Sequence, residues 1–154
     1  MLRYHAVRRR RMEQHMPENI PYFSEGCLYT KLQNGIHLVV LKQATRQACD
    51  ECFEQVALIY QKALPKKPLL IAIDLRSTEM PPMLYLARHV AHLRRLFPRQ
   101  TPRKVAFLYS QILMHPLVHL MMILMMFPRR KELRLFTSAQ WDEASLWLLR
   151  FWQS

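Results

Sequence analysis

Three groups of residues in this chain have types and spacings that could do chemistry. Cys49 and Cys52 form a Cys-x-x-Cys pair, a spacing that serves thiol–disulfide exchange or metal binding where a helix N-terminus lowers a thiol pKa. Both fall in phase with Phe53 and Val56 on one apolar helix face, however, and the adjacent Asp50 and Glu51 oppose a thiolate. Buried structural cysteines are the expectation. His115 and His119 stand four apart, as two ligands on one helix would, but no glutamate occupies position 116 and no third ligand is identifiable. No metal site is expected. Asp74, Arg76, Ser77 and Thr78 follow an apolar run, at the strand end where open α/β sheets most often bind ligands. With one carboxylate, no paired base and no assignable nucleophile, Asp74 is expected to cap the loop that follows it. No catalysis and no cofactor are expected, and P-loop, GxGxxG, GxSxG and HExxH patterns are all missing.

The charge balance points to anionic partners. Lys and Arg number 23 against 11 Asp and Glu, for a net charge of +12, and such a surface attracts polyanions. Arg3, Arg8, Arg9, Arg10 and Arg11 crowd the first dozen residues, and the stretch from 80 to 104 holds six Arg and Lys residues without a carboxylate. Within that stretch Arg88, His92, Arg95 and Arg99 recur at intervals of four, three and four. They form one helical stripe that is either solvated or suited to phosphates or an acidic protein. Only Tyr85 and Phe97 lie close to it and no reader motif occurs, so nucleic acid is expected to bind only non-specifically, through the Arg8 to Arg11 tail.

The elements that must position these residues can be read from periodicity. The 154 residues, 51% hydrophobic and 22% charged, suit one globular domain large enough to sustain a core without disulfides. Residues 1–20 are expected to be a basic tail and 21–154 the folded domain. Cys27–Leu32 and Ile36–Leu41 read as strands flanking Asn34-Gly35, the strongest short hairpin signal. Cys49, Cys52, Phe53, Val56, Tyr60 and Ala63 recur at helical spacing between Thr45 and Leu64, where Pro65 stops the helix. Pro68–Asp74 reads as a central, doubly covered strand. Pro81-Pro82 opens a second helix to about Phe97. Arg103–Tyr109 is the next strand, Ile112–Phe127 a third helix and Leu133–Phe136 a short fifth strand. Thr137-x-x-Gln140 matches a capping box and starts a fourth helix through Trp152. The expected order is ββαβαβαβα, an α/β fold with a mixed five-stranded sheet, parallel central strands and four helices.

Three cysteines, an odd number, together with a charged N-terminus lacking an apolar signal, point to a reducing, cytoplasmic setting. Val105–Phe127 is 23 residues without a formal charge, long enough to span a bilayer. Tyr109-Ser110-Gln111 and His115-Pro116 interrupt it, so a strand leading into a helix is expected instead of a span.

This layout resembles the SpoIIAA-like branch of the STAS superfamily, over about residues 22 to 152. The resemblance rests on the initial hairpin, the Leu70-Ile-Ala-Ile-Asp-Leu-Arg76 strand end, Lys104-Val-Ala-Phe-Leu-Tyr109, and Leu135-Phe-Thr-Ser followed by Asp142-Glu-Ala144 and Trp147-Leu148. It implies a non-enzymatic regulatory or protein-interaction module. In regulatory members a serine at the start of the helix after the third strand is phosphorylated. Here the loop reads Ser77-Thr78-Glu79-Met80-Pro81-Pro82-Met83 without the Asp-Ser-Ser-Gly pattern, so Ser77 and Thr78 are expected to satisfy loop amides.

The third helix carries the rest of the functional expectation. It is apolar on nearly every side, and Met114, Leu117, Met121, Met122, Met125 and Met126 lie where one face must cover the sheet and another remains. Methionine's flexible, polarizable chain suits adaptable contacts. Three explanations stay open: a homodimer or partner interface extended by Trp152, burial under the tail or the last helix, and a site for a lipid-like ligand or membrane surface. A self-associating interaction module leads, with a carrier or sensor of a hydrophobic anion as the alternative.

Overall fold

In the computed structural model, which describes residues 20–64, 67–76, 82–97, 103–110 and 133–150, the strands form a six-stranded sheet in chain order. The strands are β1 (Tyr22–Phe23), β2 (Cys27–Lys31), β3 (His37–Leu41), β4 (Leu69–Asp74), β5 (Arg103–Tyr109) and β6 (Leu133–Thr137). The helices are α1 (Arg46–Lys62), α2 (Met83–Leu96) and α3 (Trp141–Leu149). Strands β1 to β3 pair antiparallel and β3 to β6 pair parallel. The fold is therefore α/β with a mixed sheet.

The expected sheet of five strands is corrected to six, because Tyr22 and Phe23 pair with Tyr29 and Leu28. A strand of two residues is too short to show a period. Of the four expected helices, three fall among the described residues and the one expected at 112–127 lies outside them, as does the tail over residues 1–19. The uncharged stretch begins as strand, since Val105–Tyr109 belongs to β5. Among the described residues no helix is long and apolar enough to cross a membrane.

Both glycines are required by geometry. Gly35 closes the hairpin at φ 86°, donating from its N–H to Leu32 O at 2.9 Å while Leu32 N donates to Ile36 O at 2.8 Å. This is a three-residue loop with the glycine in the left-handed region. Gly26 lets α1 approach β2: a Cβ there would stand 2.6 Å from the Ala48 Cβ.

Helix α1 starts as expected, with Thr45 Oγ1 accepting from Ala48 N at 3.2 Å. Helix α2 begins after its prolines, with Pro82 at the N-cap. The expected capping box is corrected. The Gln140 side chain does reach back, its Oε1 accepting from Thr137 N at 2.8 Å and from Thr137 Oγ1 at 3.0 Å. Gln140 N donates to Thr137 O, so these residues close a turn, and α3 starts only at Trp141.

Alternation along the strands sorts the core into two layers. Val39, Leu41, Leu69, Ile71, Val105 and Phe107 face one side, where α1 supplies Ala48, Cys49, Cys52, Val56 and Ile59 and α2 supplies Tyr85, Leu86 and Leu93. Leu70, Ala72, Ala106, Leu108 and Phe136 face the other, against Ala144, Leu148, Trp141 and Trp147 of α3. Ala72 and Ala106 are register partners, and with the fully buried Ala144 they remove the side-chain volume that would hold α3 off the sheet.

Candidate functional site

Strand β4 delivers Asp74 to the C-terminal rim of the parallel strands, on the face that Leu70 and Ala72 turn to α3. Asp74 is 6% exposed, and a buried carboxylate requires both charge and hydrogen-bond compensation. Arg76 supplies both. Asp74 Oδ1 accepts from the Arg76 backbone N–H and from Nε, each at 2.9 Å, and Oδ2 accepts from Nη2 at 2.7 Å. The guanidinium also donates through Nη1 to Ser138 O at 3.3 Å and lies 5.9 Å from the Trp141 ring centroid. The bond to Asp74 raises the Arg76 pKa further above its ordinary value. Asp74 thus caps its own loop, and the bidentate pair ties the end of β4 to the turn after β6. Ser77 and Thr78 lie outside the described residues.

The basic stripe sits on open surface. Helix α2 exposes Leu84, Arg88, Ala91, His92, Arg95 and Leu96, positions that share one helical face. Leu84 is 74% and Leu96 52% exposed, so Arg88, His92 and Arg95 lie between two uncovered leucines. No residue of α2 is acidic. Among the described residues the ion pairs involve neither Arg88, His92 nor Arg95. Arg99, the fourth member of the expected stripe, lies outside the described residues, and so do Met114, Leu117, Met121, Met122, Met125, Met126 and Trp152.

Two constellations escape the sequence reading. Between α1 and α2, Asp50 Oδ1 accepts from the Tyr85 hydroxyl at 2.6 Å and stands 2.8 Å from His89 Nε2. The His89 ring stacks on Phe53 with centroids 4.7 Å apart and meets the Tyr85 ring edge-on at 4.7 Å. Arg46 lies 5.4 Å over Tyr85. The hydrogen bond to Asp50 raises the Tyr85 pKa. Arg46, Asp50 and Phe53 share a face of one helix and Tyr85 and His89 a face of another, which spacing alone could show; that these two faces meet is a tertiary fact.

The second constellation is the thiols. Cys49 and Cys52 are buried and unbridged, and so is Cys27. The neighbour of Cys52 is not Cys49 but Cys27, with the sulfur atoms 2.8 Å apart. Burial and the Asp50 charge push the Cys49 thiol up to about 11. The Cys27 contact and burial likewise raise the Cys52 pKa. Among the described residues no cluster of three or more His, Cys, Asp or Glu could hold a metal ion.

Compared with known proteins, the chain matches no family model, no curated protein and no solved structure.

Proposed function

We propose that this chain is a STAS-like protein-interaction module that docks an acidic protein segment on the outer face of α2. One observation carries the reading: Arg88, His92 and Arg95 lie on an exposed helical face bounded by the uncovered side chains Leu84 and Leu96. Exposed leucines next to exposed arginines mark a surface suited to a partner with both apolar and anionic groups. The 14-residue helix is about 21 Å long, enough to seat several turns of an amphipathic peptide whose carboxylates meet the arginines and whose apolar residues cover the leucines. The net charge of +12 steers such a partner at long range. The Asp74–Arg76 pair serves this module as a rim brace. The Met-rich segment, through Met114, Leu117, Met121, Met122, Met125 and Met126, is proposed as its self-association surface.

The test is fluorescence anisotropy with a labelled helical peptide of about 14 residues built from glutamate and leucine, a length set by the span of α2. Binding is expected to weaken by about tenfold or more when salt rises from about 50 to about 300 mM, as screening shortens the reach of the charges. The double substitution Arg88→Glu/Arg95→Glu should cost about tenfold or more in affinity with an unchanged circular dichroism spectrum. Equal binding by the charge-reversed variant overturns the reading. So does a protein that ignores the peptide but co-sediments with anionic vesicles, which would make the carrier of a hydrophobic anion the better description.

A further inference from the structure

The thiols of Cys27 and Cys52 lie nearer to each other than two non-bonded sulfur atoms normally pack, at 2.8 Å. Cys27 is the first residue of β2 and Cys52 sits on the buried face of α1, twenty-five residues away in the chain. A disulfide needs a sulfur separation of about 2.05 Å, so closing the bond takes a movement of less than an ångström. The surroundings hold the pair in place. Gly26 brings α1 hard against the start of β2, leaving no room for a Cβ beside Ala48. The Ser24 hydroxyl accepts from Cys27 N at 2.9 Å and donates to the Glu51 carboxylate, so the residue before Cys52 is bonded to the turn that leads into Cys27. Cys27 is fully buried while Cys52 is 8% exposed, so Cys52 is the residue of the pair nearer to solvent.

We propose that Cys27 and Cys52 are a site of reversible disulfide formation, with a peroxide as the oxidant, and that the bond latches the antiparallel end of the sheet to α1. The Cys52 thiolate attacks a peroxide oxygen, the O–O bond breaks, and a sulfenic acid and hydroxide form. The Cys27 thiolate then attacks that sulfur, the S–O bond breaks, and the second hydroxide leaves. Each hydroxide takes up one of the two thiol protons, so two thiols lose two electrons, hydrogen peroxide gains them, and two waters leave. The Cys27 contact and burial, which raise the Cys52 pKa, keep the thiolate scarce at neutral pH and make the reaction slow and faster in alkali. The third cysteine, Cys49, is one helical turn from Cys52 and is a bystander.

The full chain is incubated with hydrogen peroxide at pH 7 and pH 8.5 without denaturant, and intact mass and non-reducing peptide maps are recorded. The expected result is a loss of about 2 Da, for the two hydrogens removed, with one cross-linked peptide pair joining Cys27 to Cys52. Dithiothreitol should reverse it, and the oxidised protein should unfold about 5 °C or more higher than the reduced one. The variant Cys49→Ala should still form the bond and Cys27→Ala should not. The wild-type map alone decides the matter if either variant fails to fold. A Cys49–Cys52 link, a Cys27 link only to a second molecule, or mass gains of about 32 Da from sulfinic acid in place of the bond would each overturn the proposal.

Discussion

Asp50 on α1 and His89 on α2 meet at 2.8 Å, and the same carboxylate oxygen takes the Tyr85 hydroxyl at 2.6 Å. These contacts hold α2 against α1, and through α1 against the sheet, which gives the exposed stripe of Arg88, His92 and Arg95 a defined orientation. The side chains of His89 and Asp50 are 27% and 45% exposed, so solvent screens the contact. A double-mutant cycle of Asp50→Ala and His89→Ala, followed by urea unfolding, should return a coupling of about 0.5–1 kcal/mol. Tyr85→Phe should lower the urea midpoint by itself. A coupling of zero would mean that the Asp50–His89 contact adds nothing to the packing of Tyr85, Leu86 and Leu93 against the core.

Stability should rise with pH through the range in which His37 titrates. The imidazole sits in the hairpin with its Nδ1 3.0 Å from the Tyr29 hydroxyl, and burial, then the Lys31 charge, lowers its pKa from 6.5 to about 4. Between those values the unfolded chain binds the proton and the folded chain does not. The contribution is therefore complete above pH 6.5 and is lost as the pH falls toward 4. Urea melts at pH 4.5 and pH 7 should differ by about 2 kcal/mol more in the wild type than in His37→Gln. Parallel profiles would refute it.

The alanine seam under α3 should be intolerant of added volume. Ala144, Ala72 and Ala106 are each fully buried, so Ala144→Leu must lift the helix off the sheet, at a cost of about 1–3 kcal/mol. Leu148→Ala should cost about 2–5 kcal/mol by leaving a cavity. Thermal unfolding of both variants reads this directly, and a neutral Ala144→Leu would show that α3 packs loosely.

Gly26→Ala places its new methyl 2.6 Å from the Ala48 Cβ and 2.9 Å from its Cα. A loss of about 2 kcal/mol is expected, with partial recovery in Gly26→Ala/Ala48→Gly. Gly35 has open space around it, and only its φ of 86° opposes a side chain. Gly35→Ala should cost about 1 kcal/mol, and Gly35→Asn less, because asparagine tolerates that region.

Self-association should be separable from folding. Met122→Glu or Met125→Glu is expected to abolish association in native mass spectra while leaving a folded monomer. A variant that unfolds would place that face in the core. A wild-type monomer carrying a lipid-sized adduct would favour the carrier.

Much of the architecture could be read before any coordinates, because it is written in local terms. The hairpin follows from Asn34-Gly35 between apolar runs, β4 from an uninterrupted apolar stretch ending in Asp74, and α1 from the three-and-four spacing of Cys49, Cys52 and Val56. Where the reading failed, the signal was short or shared. Tyr22–Phe23 has too few residues to display a period, and Thr137-x-x-Gln140 fits a turn as well as a cap, since in both the glutamine side chain reaches the same backbone amide.

The candidate site divides along the same line. Sequence spacing determined that Arg88, His92 and Arg95 share a helical face, and that Cys49 and Cys52 share another, because residues three and four apart on a helix are neighbours whatever surrounds them. Only the tertiary structure decided that Cys52 meets Cys27, that Asp50 meets His89, and that Arg76 reaches from its own Asp74 to Ser138. Those meetings depend on strand order and on which sheet face each helix covers. That is set by the joint burial of side chains far apart in the chain, and no window of local sequence contains it.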